Sequence, residues 1–332
     1  LPPIPGRLLS HGTALTVGVF DGIHLGHQEL LRRTQIAAAR HGLAAVVLTF
    51  SQHPLSVLAP PFAPLPIHSP ARKRQLLENS GIHHVMEVEF DLAFSHISPT
   101  RFVDDVLVGH CAVRHLVCGT DFRYGEAGAG EIGLLRTLSK RAPGFSIDVV
   151  DNVIHDGCVV RSTAVREAIT MGDVDLAAEF LTRPHEITGR VAQGLARGRQ
   201  IGFPTANLVI EGNPVIPKRG VYLTAVRRRG SNTTPTLYPA MTNIGFNPTF
   251  GLERLSIETH VLAFDDNLVG DGLEVHFLTR LRDEQKFSGV EALRQQLQRD
   301  RTTAETLLQT PKYQERIRRI PPALPDVSDG LL

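Results

Sequence analysis

Two histidines three residues apart, His24 and His27, flank Gly26 in the stretch LTVGVFDGIHLGH that runs from Leu15 to His27. Leu15 to Phe20 alternates small and β-branched residues, as a buried strand does. Asp21-Gly22 is a turn pair. The run QELLRRTQIAAARHG then carries Leu30, Leu31 and Ile36 at the spacing of a helix with one buried side. Backbone N–H groups at a helix start, beside two imidazoles on one face, suit a phosphate. They donate hydrogen bonds to its oxygens and stabilise charge that develops there during attack. A core or surface role for each histidine is the competing reading. A metal site would need a further ligand, with Asp21 the nearest candidate.

A second constellation is GRQIGFPTANL, Gly198 to Leu208. Gly198 and Gly202 permit close backbone approach, and Pro204 sets the chain direction. Thr205 and Asn207 project from one side of an extended segment. A hydroxyl and an amide oxygen so placed are hard donors, apt for Mg²⁺ with nucleotide phosphates; an edge strand with turn residues is the alternative. Glu258 lies in SIETHVL near apolar Ile257 and Val261. A carboxylate there can take a proton from an attacking hydroxyl, although a solvent-facing strand residue fits the same periodicity.

The elements that must position these groups change character once along the chain. Ala44–Phe50 (AAVVLTF) is continuously apolar, as in a parallel sheet. An apolar, proline-broken loop spans His53 to Pro66. A helix is predicted from Ser69 or Pro70 to Glu78, a strand over His84–Phe90 and a helix over Pro99–Leu107. Further strands are predicted over His115–Cys118 and Ile147–Val150. This alternation predicts an α/β fold with right-handed crossovers on a parallel sheet. Three loops fall where such sheets bind ligands, at strand ends. FSQHP supplies His53, GTDFRYG supplies Asp121 and Arg123 beside an aromatic, and RSTAVR places Ser162 and Thr163 at a helix start with Arg166 one turn along. Neither GxxxxGK[ST] nor GxGxxG follows a strand, which disfavours a P-loop kinase and a dinucleotide dehydrogenase. Ser162 or Thr163 can cap a helix ending at Gly172, and Asp173 opens another to Leu181. From Arg183-Pro184 onward, short alternating runs predict an antiparallel barrel of about six strands. Helical text returns at Gly289–Gln298 and at Arg301–Ile320, interrupted at Pro311. The expected domains are 1–182 and 183–320, with 321–332 as a disordered tail.

Composition narrows the function class. The 332 residues carry a formal charge of +1, without the basic excess of nucleic-acid binders. The basic runs Arg227–Arg229 and Arg316–Arg319 are expected to be solvated surface. No run approaches the ~18 apolar residues of a membrane span, and LPPIPGRLLSHG lacks the pattern of a signal peptide. Three widely spaced cysteines without a CxxC suit a reducing, cytoplasmic setting.

GVFDGIHLGH resembles the HxGH signature of the nucleotidyltransferase superfamily. From about residue 12 to about residue 310 the chain is similar to the bifunctional riboflavin kinase/FMN adenylyltransferases, the prokaryotic FAD synthetase family. The resemblance implies a Rossmann-like nucleotidyltransferase domain followed by a β-barrel riboflavin kinase domain with C-terminal helices. It implies two steps with Mg²⁺: riboflavin and ATP to FMN and ADP, then FMN and ATP to FAD and pyrophosphate. His24 and His27 would bind ATP phosphates and steady the transition state. Gly18, Phe20, Asp21 and His53 would line that site, with ATP contacts from Ser162, Thr163 and Arg166. Adenine or flavin-side contacts would come from Asp121, Phe122 and Arg123. PTANL and IETHVL are similar to the kinase signatures. They imply Mg-ATP binding by Thr205 and Asn207, beside Gly202 and Pro204, and Glu258 as general base for the ribityl 5′-hydroxyl. RGRQIGFPTANL, GVYLTAV, TNIGFNPTF and LRDEQKF match in order, and Arg282 and Phe287 fall where the family closes over flavin. Partners would be small molecules, with neither nucleic acid nor membrane.

The chain departs from the family at Gln52, where proline is usual, at Glu126–Ala129, where a basic residue is common, at Arg161, where serine is usual, and at Val269, where tyrosine is common. These leave two alternatives open: a riboflavin kinase with weakened adenylyl transfer, and a non-catalytic flavin-binding protein.

Overall fold

The computed structural model describes residues 1–6, 10–194, 198, 201–229, 236–249 and 252–324. Its first part is a parallel sheet of β1 (Thr13–Val17), β2 (Ala44–Phe50), β3 (His84–Val88), β4 (Val113–Gly119) and β5 (Ser146–Val150), in the order β3-β2-β1-β4-β5. All residues of β1 and β2 are buried, as the unbroken apolar text requires of strands covered on both faces. β3 and β5 are the edges and are only partly buried. Strand order reverses between β1 and β4, so their C-terminal ends bound the crevice where open α/β sheets take ligands. Helix α1 (Leu25–His41) leaves β1 and stops at Gly42, whose φ of 64° is the left-handed conformation glycine adopts without a Cβ penalty. Helix α2 (Pro70–Glu78) is opened by Ser69, whose hydroxyl accepts the Arg72 N–H at 3.2 Å, with proline at its first position. A wide helix, α3 (Phe102–His110), and α4 (Ile132–Leu138) complete this layer. The proline-rich stretch expected to be irregular contains two short helical turns, Leu55–Leu58 and Pro60–Phe62.

A two-stranded hairpin, β6 (Ile154–His155) and β7 (Cys158–Val159), leads to α5 (Ser162–Met171) and α6 (Val174–Leu181). Asp173 caps α6, its carboxylate accepting the Leu176 N–H. The barrel is built from β8 (His185–Ala192), β9 (Ala206–Ile210), β10 (Gly220–Arg229), β11 (Leu237–Thr249), β12 (Leu252–Val261) and β13 (Gly272–Arg282). It is closed, antiparallel and ordered β10-β11-β12-β9-β8-β13. Inward residues such as Ile187, Val226, Ile244, Ile257 and Phe277 form its core, and Val174 of α6 joins them. Thr224, Thr242 and Thr259 run a hydrogen-bonded chain across three strands at 2.9 and 3.0 Å, so these buried hydroxyls are satisfied by one another. α7 (Val290–Leu308) is one continuous helix through the point where two helical segments were expected, and α8 (Pro311–Arg318) follows. By contact density the chain divides into Leu1–Leu65 with Ser69–Arg161, and Pro66–His68 with Ser162 onward.

The outer face of the barrel corrects two expectations. Arg227 and Arg229 are buried, not solvated, and so is Arg316. Arg227 Nη1 donates to Glu274 at 2.9 Å and to the Pro321 carbonyl at 2.9 Å, while the Leu324 N–H donates to the other Glu274 oxygen at 2.7 Å. Arg229 pairs with Glu211. Arg316 donates to Asp175 at 2.6 Å and to the Leu278 carbonyl at 2.6 Å. These arginines find their counter-charges on other elements, Glu274 on β13, Asp175 on α6 and Glu211 just after β9, which local pattern cannot show. At the start of the supposed tail Pro321 and Leu324 are buried, their backbone supplying partners to the Arg227–Glu274 pair; residues 325–332 lie outside the described residues. Glu274→Gln leaves the buried Arg227 guanidinium without its carboxylate, and is expected to lower unfolding free energy by about 3–5 kcal/mol in urea titrations.

His185 at the start of β8 is fully buried and stacked on Phe277 at 6.0 Å. Its Nε2–H donates to the Val215 carbonyl at 3.1 Å, while Nδ1 has no hydrogen-bond partner among the described residues. Burial pushes this imidazole down to about 4, helped by nearby His276 and Arg183 and opposed by the Val215 bond. The folded value lies below the unfolded one, so the unfolded chain binds the extra proton. Stability present above pH ~6.5 is therefore lost as pH falls toward 4, by about 2 kcal/mol at pH 5. Urea midpoints followed by circular dichroism between pH 7.5 and 5 should show this slope, and His185→Phe should flatten it.

Candidate active sites

In the first unit the site is made by a strained turn. β1 ends at Val17, and Gly18 N–H still bonds the Leu48 carbonyl at 3.1 Å. Phe20 and Ile23 then take φ of 53° and 42°, on either side of Gly22 at 88°. A bulky and a β-branched residue with positive φ are uncommon, and they persist where surrounding packing over-determines them. Both side chains are buried against Leu31 and Ala38 of α1, which supplies that packing. The turn delivers His24 to the N-terminal cap of α1, where its side chain caps nothing and no acidic residue follows in the first turn. The His24 and His27 rings stack at 3.8 Å, with Phe20 5.0 Å from His27. A Cβ on Gly26 would stand 3.3 Å from the His24 ring and from the Val160 carbonyl, so only glycine lets the ring lie there without displacement. The positive end of a 17-residue helix and two imidazoles thus converge.

Other expected residues of this unit lie at neighbouring strand ends. His53 follows β2, and its Nδ1 accepts the Leu55 N–H at 3.1 Å. Asp121 is exposed after β4, Phe122 packs against the sheet core, and Arg123 pairs with Glu131. Lys73 on α2 was not foreseen. It is buried, donates to the Phe50 carbonyl at the end of β2, and stands 3.9 Å from Glu87. Burial lowers its ammonium below the usual lysine range against the opposing pull of Glu87 and Asp21. Nothing in the helical text KRQLLE separates it from a surface lysine. Ser162, Thr163 and Arg166 stand on the first turns of α5, which groups with the second unit.

In the barrel the site is a row across three strands on the outer face. Asn207 on β9 is directly opposite Glu258 on β12, which is opposite Asn243 on β11. Thr205 Oγ1 donates to Glu258 Oε2 at 3.4 Å, and Ser256 Oγ donates to Oε1 at 3.1 Å. Gly202, with φ of 82°, turns the chain into this row. Phe203 anchors the turn by packing beside His260 at 5.2 Å, and His260 Nδ1–H donates to the Pro204 carbonyl at 2.8 Å. A Cβ on Gly194 would collide with the Asn207 amide, making Gly194 a second residue that sequence reading missed. Thr205 and Asn207 border a cavity of about 490 Å³ that is also lined by Phe264, Asp265, Asp266, Leu268 and Val269. Its lining is therefore mixed, with hydroxyl, amide and carboxylate groups beside apolar surface. The oxygen donors Thr205, Asn207 and Glu258 fit a hard divalent cation. The buried group Glu186, Glu274 and His276 is a poorer fit: Arg227 and the Leu324 N–H occupy Glu274, and the His276 ring puts Nδ1 3.3 Å from Glu186 and Nε2 3.4 Å from Glu274. Arg282 is held by Asp300 at 2.8 Å and lies over the Phe287 ring at 5.8 Å, which brings the guanidinium and ring together.

A family model described as FAD synthetase matches residues 7–164, and one described as riboflavin kinase matches residues 181–308. The bifunctional riboflavin kinase/FMN adenylyltransferase of Listeria monocytogenes is 37% identical over 289 residues, covering 86% of this chain and 89% of its own length. The Escherichia coli K12 protein of the same description is 36% identical over 293 residues, covering 88% and 92%. A Streptococcus pneumoniae crystal structure described as a macrolide-efflux protein superposes with a TM-score of 0.81 at 31% identity, covering 92% of this chain and 98% of the other. Among the described residues no helix is long and apolar enough to cross a membrane.

Proposed function

Because the chain belongs to the bifunctional riboflavin kinase/FMN adenylyltransferase family, we propose that adenylyl transfer belongs to residues 1–182 and riboflavin phosphorylation to residues 183–320. The enzyme converts riboflavin and ATP to FMN and ADP, and FMN and ATP to FAD and pyrophosphate. The observation carrying the kinase assignment is the cross-strand pairing of Glu258 with Asn207, with Thr205 on the same carboxylate. ATP would lie in the adjoining cavity with its phosphates toward Thr205 and Asn207. Those oxygens would hold Mg²⁺, which when bound offsets phosphate charge. Glu258 takes the proton of the ribityl 5′-hydroxyl as that oxygen attacks the γ-phosphorus, and ADP leaves from the opposite side. Gly202 and Pro204 shape the turn that presents these donors, and Arg282 with Phe287 would close against the flavin.

For adenylyl transfer, FMN phosphate attacks the α-phosphorus of ATP and pyrophosphate departs. His24, His27 and the first N–H groups of α1 donate to the phosphate oxygens on which charge builds, without a covalent intermediate. Gly18, Phe20 and Asp21 form the turn that presents them. Family matching, rather than any distance, supports nucleotide or flavin contacts by His53, Asp121, Phe122, Arg123, Ser162, Thr163 and Arg166. The free thiols of Cys111, Cys118 and Cys158 support a reducing, cytoplasmic location.

The two sites separate in one assay, with purified full chain, Mg²⁺ and ATP, and flavins resolved by chromatography. Glu258→Gln should reduce FMN formation by at least about 10²-fold and leave FAD formation from supplied FMN intact. His27→Ala should do the reverse, by about 10²-fold. Equal loss of both steps in either variant would overturn the division.

A further inference from the structure

The Glu258 carboxylate accepts from Thr205 on one oxygen and from Ser256 on the other. Ser256 and Glu258 are two residues apart on β12, so their side chains share the outer face of the barrel. Ser256 Oγ donates to Oε1 at 3.1 Å, whereas the Thr205 contact on Oε2 is longer, at 3.4 Å. A carboxylate on a strand can rotate about its last bond and exchange its two oxygens. A hydroxyl held on Oε1 by the same strand opposes that exchange and leaves Oε2 turned toward Thr205 and Asn207.

We propose that Ser256 is a positioning residue for phosphoryl transfer, fixing the Glu258 carboxylate so that Oε2 receives the substrate proton. The inference rests on the reading of Glu258 as general base. In the step, the ribityl O–H bond breaks and its proton moves to Oε2. The freed oxygen pair forms the bond to the γ-phosphorus, and the bond from that phosphorus to the β,γ-bridging oxygen breaks with its electrons leaving on ADP. The Thr205 hydroxyl can donate its proton to Oε2 before substrate arrives while its lone pairs remain toward the phosphate side. Ser256 acts through the carboxylate, to which its hydroxyl donates.

The test uses the full chain and measures kcat and KM for FMN formation, with FAD formation from supplied FMN as an internal control. Ser256→Ala should lower kcat by about tenfold with KM for riboflavin and for ATP within about twofold, because the lost interaction orients a reacting group rather than binding a substrate. Ser256→Thr keeps the hydroxyl and should restore most of kcat. Ser256→Val, with the shape of threonine but no donor, should resemble alanine. Equal activity in the threonine and valine variants, or a kcat unchanged in alanine, overturns the proposal. A purely structural role would lower both variants with added bulk alike, and is excluded by rescue in one only. If Glu258→Gln retains FMN formation, the reading of the base itself fails, independently of what Ser256 variants do.

Discussion

The barrel closes through its thinnest seam. β12 and β9 share two register pairs, Glu258 with Asn207 and Thr259 with Ala206, while β12 and β11 pair over ten. That seam brings Thr205, Asn207 and Glu258 together, so barrel closure and site assembly are one event. Register there is set by the pleat. Ile257 and Val261 must face inward with Leu208, and Thr259 must reach Thr242, which sends Glu258 and Asn207 outward. A slip of one residue would put both polar groups in the apolar interior and is disfavoured by every inward side chain at once.

The first unit builds its candidate site by a different route. No strand pairing assembles it; a helix start and a left-handed turn do. The cost of positive φ at Phe20 and Ile23 is offset by burying both side chains against α1 and the sheet. The strain points His24 into the cap position with His27 one turn behind, and a Cβ on Gly26 would crowd both the His24 ring and the Val160 carbonyl. The placement at the reversal of strand order also brings the loop after β4, with Asp121 and Phe122, to the same end of the sheet.

Much of this was legible in the sequence because it is periodic or local. Continuous apolar text in Ala44–Phe50 means a covered parallel strand, and the alternation after Arg183 means a barrel of about six strands; the barrel has six. The turn Asp21-Gly22 and the cap at Ser69 are likewise local. What stayed hidden depends on partners far along the chain. Arg227 meets Glu274 across β10 and β13, and Arg316 meets Asp175 across 141 positions, so these members of basic runs that read as surface are buried, while Arg318 and Arg319 are exposed as expected. Gly194 serves Asn207, and the backbone of Pro321 and Leu324 completes a buried ion pair, with no residue type marking either role. Asn243 and Ser256 join the Glu258 row only once register is known.

Register and packing also explain how departures from the family pattern sit beside intact machinery. Gln52, standing for a usual proline, donates from Nε2 to the Phe90 carbonyl at 3.1 Å and so ties the loop after β2 to the chain after β3. A proline would stiffen that loop through its own ring; glutamine does it through a side-chain bond. Glu126, where a basic residue is common, accepts from His96 at 2.8 Å, and its backbone N–H bonds Ile97 at 2.7 Å. Both replacements are absorbed into scaffold contacts within the first unit, and neither touches the His24–His27 stack. Val269 differs in kind, because it borders the cavity beside Thr205 and Asn207. Valine in place of tyrosine gives that cavity an aliphatic wall without a hydroxyl, while Thr205, Asn207 and Glu258 keep their places in the cross-strand row. A change at that wall alters the lining of the cavity and leaves the Thr205 and Ser256 contacts to Glu258 as they are.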